Sequence, residues 1–465
     1  MFVRPLSAAE VPVADLPFLP DDLPVPTPQQ AARVSGRGAP RLRVPVRDQV
    51  EMSWASLDER LDPDSQARVI WSLVAALDLD AWLKEIKAVE RHVGRNATDP
   101  RLLVALWVFA TLRGVGSARE LERLCENHLA YQWLCGGVSV NYHTLADFRS
   151  RGGQKWDELL TQIVAALMDE GLVTMDRVAQ DGMRVRADAG KSSLRSGGRL
   201  EELLEEAKEQ VQTLKDLAET DPDELSRRQR AARQRAAKER QERIEHAKQE
   251  CDELRKKKEE RDKGRKEKSS EARASTTDPD AHVMKFSDGG CRPGLNVQFA
   301  TDTASGIVVG ADVTNAGTDS EQMPPMLDGL ETRYEKIPSE MLVDGGFASL
   351  DAIDATEKRG CTVYAPVKDA EKQKKAGKDP YARKPHDTDA TAAWRQRMGE
   401  KASQTMYKLR AQTAEWVNAL CRNRGFWRMP VRGLAKCRIV ATLFAITHNL
   451  IQQGNLRAAV TKGAN

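Results

Sequence analysis

The sequence predicts an α/β core that is preceded by an all-helical block and interrupted by a long helical hairpin. Three features of the chain point to it. Two short apolar runs end in Asp-Gly, at Val178–Gly182 and Met341–Gly345, as strands do when they carry a carboxylate where backbone can be approached closely. From Arg199 to about Ser270 the chain turns to Glu, Lys, Arg, Gln and Ala, with leucines at helical spacing. Before residue 165, apolar residues recur at helical intervals behind capping residues.

The 465 residues allow two or three domains. Lys+Arg 72 against Asp+Glu 69 leaves a net charge of +3, which argues for no partner. Any nucleic-acid reading must rest on local clustering. Seven cysteines, odd in number and without Cys-x-x-Cys, fit reduced thiols in the cytosol and make a zinc site unexpected. No apolar run approaches the roughly 20 residues that span a bilayer, and the N-terminus lacks a basic-then-apolar signal. A soluble, cytoplasmic protein without a membrane role is the expectation.

Residues 1–45 are Pro-rich and read as an extended or disordered arm. Helices begin near Asp64, with Val69, Ile70, Leu73, Val74 and Leu77 on one face. Asp99-Pro100 caps another helix, ended by Gly114, and Ser117-Ala-Arg-Glu120 has the form of a capping box. Gly136-Gly137 breaks the chain before a helix from about His143 that carries Arg149 and Arg151. This block, 46–168, has helix–turn–helix spacing suited to the major groove, although any small bundle shares it. Arg119 and Arg123 lie on one face, where solvated charge or phosphate contact fits equally.

Leu200, Leu203, Leu204, Ala207, Val211, Leu214 and Leu217 predict the first helix of an antiparallel hairpin spanning 191–275, its apolar seam strongest near the base. Its charge runs, Arg227 to Arg235 and Lys256 to Lys268, read as a solvated surface, with a DNA-backbone arm or a dimerising coiled coil as alternatives. Two strands follow, 294–302 and 306–314, joined at Ala304-Ser-Gly306. A helix (320–334), the Asp344 strand, a helix (350–359), a strand (361–367) and C-terminal helices (391–455) complete the chain. That element order is the order of a ribonuclease-H-like core, here formed by 169–190 and 276–455.

Two carboxylates at one sheet edge repel unless a divalent cation lies between them, so Asp181 and Asp344 suggest metal binding. A two-metal phosphoryl-transfer site usually needs a third acid. Ala411, Glu415 and Arg422 share a helix face, which would turn Glu415 towards the pair; Glu400 is the nearest rival. Asp278 and Asp302 read as turn residues and Asp312 lies on a strand without a following glycine. Trp416 and Trp427 read as helix-core packing, with base stacking as the alternative. His448 and Asn449 read as core hydrogen-bonding residues.

Asp181 in Gln-Asp-Gly, Asp344 in Val-Asp-Gly-Gly-Phe and the Tyr407-x-x-Arg410…Glu415…Arg422 helix resemble the DDE transposases of bacterial insertion sequences. The match is to the IS1182 type, related to the IS4 and IS5 types. Gly116-Ser-Ala-Arg-Glu-Leu, the Trp133–Arg149 stretch, Ser275–Ala281 and Asn296–Asp302 extend the resemblance to about 45–455. One departure stands out. The IS4-type signature has three residues between its Arg and Glu and a Lys beyond; here four separate Arg410 from Glu415, and Arg422 replaces the Lys.

The resemblance implies cleavage of DNA at the element's ends and joining of the freed 3′-OH to target DNA. Asp181, Asp344 and Glu415 would hold two Mg²⁺, with Mn²⁺ a possible substitute. Lys408, Arg410, Arg422 and Arg424 would bind phosphate near the cut, and Arg119, Arg123, Arg149 and Arg151 would contact DNA from the helical block. Arg428 and Arg432 would extend that surface. The implied partners are double-stranded DNA, as terminal inverted repeats and target, and a second copy in a homodimer on DNA. The place of action is the bacterial cytoplasm, at the nucleoid. A ribonuclease-H-like nuclease that cuts without joining, or a decayed end-binding copy, are the alternatives.

Overall fold

Capping residues and buried stripes shape the helical block, which comprises α1 (Leu57–Arg60), α2 (Gln66–Ala75), α3 (Asp80–Leu83), α4 (Pro100–Leu112), α5 (Ala118–Asn127), α6 (Leu129–Cys135), α7 (Tyr142–Arg151) and α8 (Gly153–Asp169). At the start of α4 the Asp99 side chain accepts from the Arg101 N–H at 2.8 Å, with Pro100 in the first turn. Ser117 accepts from the Glu120 N–H, but the Glu120 carboxylate turns to Arg123, so only half of the capping box forms. In α2, Ile70 and Val74 are buried, whereas Val69, expected on the same face, is exposed.

This computed structural model describes residues 54–89, 96–220, 227–263 and 271–463, and those from Ser56 onward belong to one unit. The Pro-rich arm expected at 1–45 lies outside the described residues.

Six strands build the main sheet. β1 (Arg177–Arg186) pairs antiparallel with β5 (Cys291–Asp302) and parallel with β7 (Glu340–Leu342), which pairs parallel with β8 (Thr362–Tyr364). Gly294 meets both Arg186 and His282, and Asn296 meets both Arg184 and Thr314. Hence β4 (His282–Lys285) and β6 (Val308–Thr314) share the far edge of β5 end to end. Three antiparallel strands continued by two parallel ones are compatible with the expected core. The parallel strands alternate with α11 (Met323–Tyr334) and α12 (Leu350–Glu357), as parallel pairing requires a crossover.

Between β1 and β5 run β2 (Leu194–Ser196), α9 (Gly197–Thr220), α10 (Arg227–Asp262) and β3 (Arg273–Ser275), with β2 and β3 paired as a separate ribbon. Contacts Lys248–Glu201, Arg240–Gln210 and Gln234–Leu214 run in opposite senses, so α9 and α10 are antiparallel. Their apolar seam, formed by Leu200, Leu204, Ala207, Ile244, Ala247 and Cys251, packs on Ala272 and Ala274 at the base. Further out charge replaces it, and Arg227, Arg228, Arg233 and Arg235 are exposed.

The C-terminal region holds α13 (Ala370–Lys375), α14 (Asp389–Gly399), α15 (Lys401–Tyr407), a π turn (Ala411–Glu415), α16 (Trp416–Asn423) and α17 (Leu434–Gly463). Contrary to expectation, α17 is long and apolar enough to cross a membrane; 72% of its apolar window is buried, so it serves here as a core helix. Asn449 closes both the N–H and C=O of Val308 at 2.8 Å, and His448 Nε2 meets the Gly306 carbonyl at 2.8 Å. One continuous core runs from Ile70 and Trp107 through Trp156 to Val178, Phe299 and Ile446. The boundary expected near residue 168 is therefore a change of secondary structure rather than a gap between globules.

Candidate active site

The site begins with register. Val178 and Ala179 pair with Met341 and Leu342 in parallel, so two residues further along each strand Asp181 comes beside Asp344. The glycine after Asp181 has a steric cause, whereas at the second place Gly346 rather than Gly345, which directly follows Asp344, is the tight position. A Cβ on Gly182 would lie 2.2 Å from Asp319 Oδ1, and one on Gly346 would lie 2.9 Å from Asp344 Oδ1. The Gly346 N–H donates to that same Asp344 oxygen at 2.7 Å, which fixes the carboxylate.

Arg410 fills the centre. Its Nη2 donates to Asp181 Oδ1 at 2.9 Å and lies 3.9 Å from Asp344 Oδ2, while its Nη1 donates to Glu415 Oε1 at 2.6 Å. Three carboxylates thus surround one guanidinium whose side chain is only 10% exposed. Asn418 Nδ2 holds the other Asp181 oxygen at 2.8 Å. Burial pushes the Asp181 carboxyl above its usual range, and Arg410 and Asn418 oppose that by favouring the anion.

Glu415 reaches this place by a route different from the expected regular helix. Residues 411–415 form a π turn. A π turn closes i→i+5 hydrogen bonds, so residues five apart share a face, as residues four apart do in an α-helix. The turn absorbs the extra residue between Arg410 and Glu415. Glu400, the rival acid, is exposed at the start of α15. Asp302 accepts from Met175 N–H and Ser305, Asp278 from Gly433 N–H, and Asp312 pairs with Arg438; all three are committed elsewhere.

Several nearby residues escaped the sequence reading. Asp319 Oδ1 accepts from Asn296 and Gln298, both at 2.7 Å, immediately beside Gly182. A groove of about 910 Å³ opens there, lined by Asp319, Arg184, Arg186, Lys285, Arg422 and Trp427 among others. The Trp427–Met429 segment is held against β1 by Arg186 N–H to the Trp427 carbonyl and Met429 N–H to the Arg186 carbonyl. The polar alternation of Asn296 and Gln298 along β5 was the available signal.

The remaining expected DNA contacts divide. Lys408, Arg119 and Arg422 are exposed, with Arg119 over the Tyr142 ring. Arg123 and Arg151 are exposed but paired with Glu120 and Asp147. Arg428 and Arg432 both pair with Asp188. Arg149 is a correction: it is buried, stacks on Trp107 and donates to the Gly116 carbonyl at 2.7 Å, so its guanidinium is a core group. Arg410 is another, since it is buried and its Nη1 and Nη2 are turned to the acids. Arg424 is half-buried with Nη1 enclosed, and burial lowers its pKa. Trp416 and Trp427, expected in a core, are 40% and 56% exposed.

Comparison with known proteins gives two family matches. A model described as Transposase domain (DUF772) matches residues 55–151, and one described as Transposase DDE domain matches residues 271–450. Together they cover more than half of the chain, a pairing typical of the IS1182 type. Asp344 and Glu415 fall within the second match; Asp181 lies between the two. No curated protein and no solved structure matches the chain.

Proposed function

The chain belongs to the DDE transposases of bacterial insertion sequences, of the IS1182 type, and we propose that it cuts DNA at the ends of its element and joins the freed 3′-OH to target DNA. One observation carries this reading: the β1–β7 register brings Asp181 beside Asp344, and Arg410 draws Glu415 to the same place. An all-oxygen donor set of three carboxylates suits Mg²⁺, with Mn²⁺ as substitute. When bound to Asp181, Asp344 and Glu415, two such ions would supply an activated water or 3′-OH and counter-charge for the leaving oxygen.

The chain's own residues do the rest. Asn418 orients Asp181, and Gly346 orients Asp344, so two of the acids are held before any ion arrives. Arg410 supplies the counter-charge that lets them stay ionised in a partly buried place. Arg184, Arg186, Lys285 and Arg422 give the adjoining groove the sign that attracts a phosphate backbone, and exposed Trp427 offers a stacking face. The α9–α10 hairpin is an insertion in a ribonuclease-H-like catalytic domain, and its basic outer face suits DNA or a second copy in a homodimer on DNA. The reaction takes place in the bacterial cytoplasm.

Purified protein incubated with labelled end-sequence DNA, a target plasmid and Mg²⁺ tests this. Joined products are expected. Nicks without joining would instead make the protein a nuclease, and a mobility shift without cleavage would make it an end-binding protein.

A further inference from the structure

A second group of metal-ligating side chains lies where the hairpin meets the sheet. His246 and Glu250 are four apart on α10 and therefore share a face. Asp280 comes up beneath them from the β3–β4 connection. His246 Nε2 is 3.3 Å from Asp280 Oδ1 and 3.6 Å from Glu250 Oε1, and the three ligand atoms all lie within 4.8 Å of one another. Both distances exceed the usual N–H···O range of about 2.7–3.2 Å. They equal the edge of a tetrahedron whose ligands stand about 2.0–2.2 Å from a central ion, roughly 3.3–3.6 Å.

The far side of each carboxylate is already tied. Glu250 Oε2 meets His282 Nε2 at 2.9 Å, and Asp280 Oδ2 accepts from the Leu434 N–H at 2.6 Å, at the start of α17. The inward oxygens are thereby held towards His246, the outer-sphere arrangement that orients metal ligands. Glu250 and Asp280 are mostly buried, and His246 is half-exposed, leaving an approach from solvent. The acid site is elsewhere. His282, which Glu250 contacts, pairs with Gly294 and Asp181 with Phe299 on β5, so His282 and Asp181 are separated along that strand by five residues, roughly 17 Å of rise.

We propose that His246, Glu250 and Asp280 form a structural site for one Zn²⁺ ion, with water as fourth ligand, that pins α10 to the catalytic sheet. One imidazole and two carboxylates are a borderline donor set that suits Zn²⁺ better than Mg²⁺. The hairpin has reason to need such a tie. Its buried apolar cluster is small and confined to the base, and α10 is otherwise charged. The cysteine pattern gave no hint because no cysteine takes part.

The test uses full-length protein carrying Asp344→Asn, which weakens the competing acid site, stripped with chelator and titrated with Zn²⁺ in a calorimeter. One Zn²⁺ per chain is expected. His246→Ala and the near-isosteric Glu250→Gln, each in that background, should weaken binding by roughly 100-fold or more. Amide exchange across 240–254 should slow with Zn²⁺ only when both residues are intact. Circular dichroism checks that each variant is folded. Absence of Zn²⁺ binding in the parent, or unchanged affinity in both variants, overturns the proposal; in that case His246 is simply an imidazole between two acids.

Discussion

Two clusters of acids in this molecule are built around different centres. Asp181, Asp344 and Glu415 surround a guanidinium; Glu250 and Asp280 surround an imidazole. The difference lies in what each centre can become. Arg410 stays protonated at any ordinary pH and has no lone pair to offer, so it is a resident counter-ion that an incoming ion must outcompete. His246 can present a neutral nitrogen and complete a ligand set. A site meant to take up and release ions with its DNA substrate fits the first design, and a permanent structural tie fits the second.

The largest expected effect breaks the first cluster outright. Asp181→Ala and Asp344→Ala should each lower cleavage of labelled end DNA by several orders of magnitude while a gel shift shows binding intact. Cleavage near the parent rate in either variant would remove that residue from the catalytic set. Arg410→Ala sharpens the counter-ion idea. Without metal it leaves Asp181, the most buried of the three acids, without its charge partner and should cost about 3 kcal/mol in chemical denaturation, a loss that millimolar Mg²⁺ largely restores. Equal destabilisation with and without Mg²⁺ would show that Arg410 is not holding an ion's place.

A smaller effect concerns the core histidine, His448. Burial pushes His448 down to about 4. Its folded pKa is thus below the unfolded value, and between these two values the unfolded chain binds more protons. Stability is therefore fully present above about pH 6.5 and falls as pH drops towards 4, by about 3 kcal/mol. Unfolding midpoints measured across that window should show the fall, and His448→Gln should flatten it; an unchanged slope would assign the acid sensitivity to other groups. Smallest is Gly182→Ala, whose methyl would strike Asp319 and should cost about 2 kcal/mol, read as a lowered unfolding midpoint. A midpoint unchanged from the parent would mean that Asp319 gives way freely.

Much of this was legible in the chain and some was not, for reasons that are physical. Asp-Gly after an apolar run announces a carboxylate on a strand, although Asp181 lies in the middle of β1 and on an interior strand rather than at a sheet edge, and leucine spacing within a charged stretch announces paired helices. The route by which Glu415 reaches Arg410 was not legible, because a π turn has no pattern of its own in periodicity. Asn418 and Asp319 were invisible: a lone Asn on a helix and a loop Asp acquire meaning only from the groups that fold against them. Arg149 was misplaced because its partners, Trp107 and the Gly116 carbonyl, are about 33 to 42 positions away. Trp416 and Trp427 were expected in a core because large aromatics usually are.

The central claim is that Asp181, Asp344 and Glu415 jointly hold divalent ions. Replacing Mg²⁺ by Fe²⁺ with ascorbate and peroxide cuts polypeptide backbone beside bound iron, and mass spectrometry locates the cuts. Cuts are expected around 180–183, 343–346 and 410–416 in one chain, all suppressed by excess Mg²⁺. Cuts confined to 246–282, or cuts near Asp181 that persist in Asp344→Ala, would contradict a shared site.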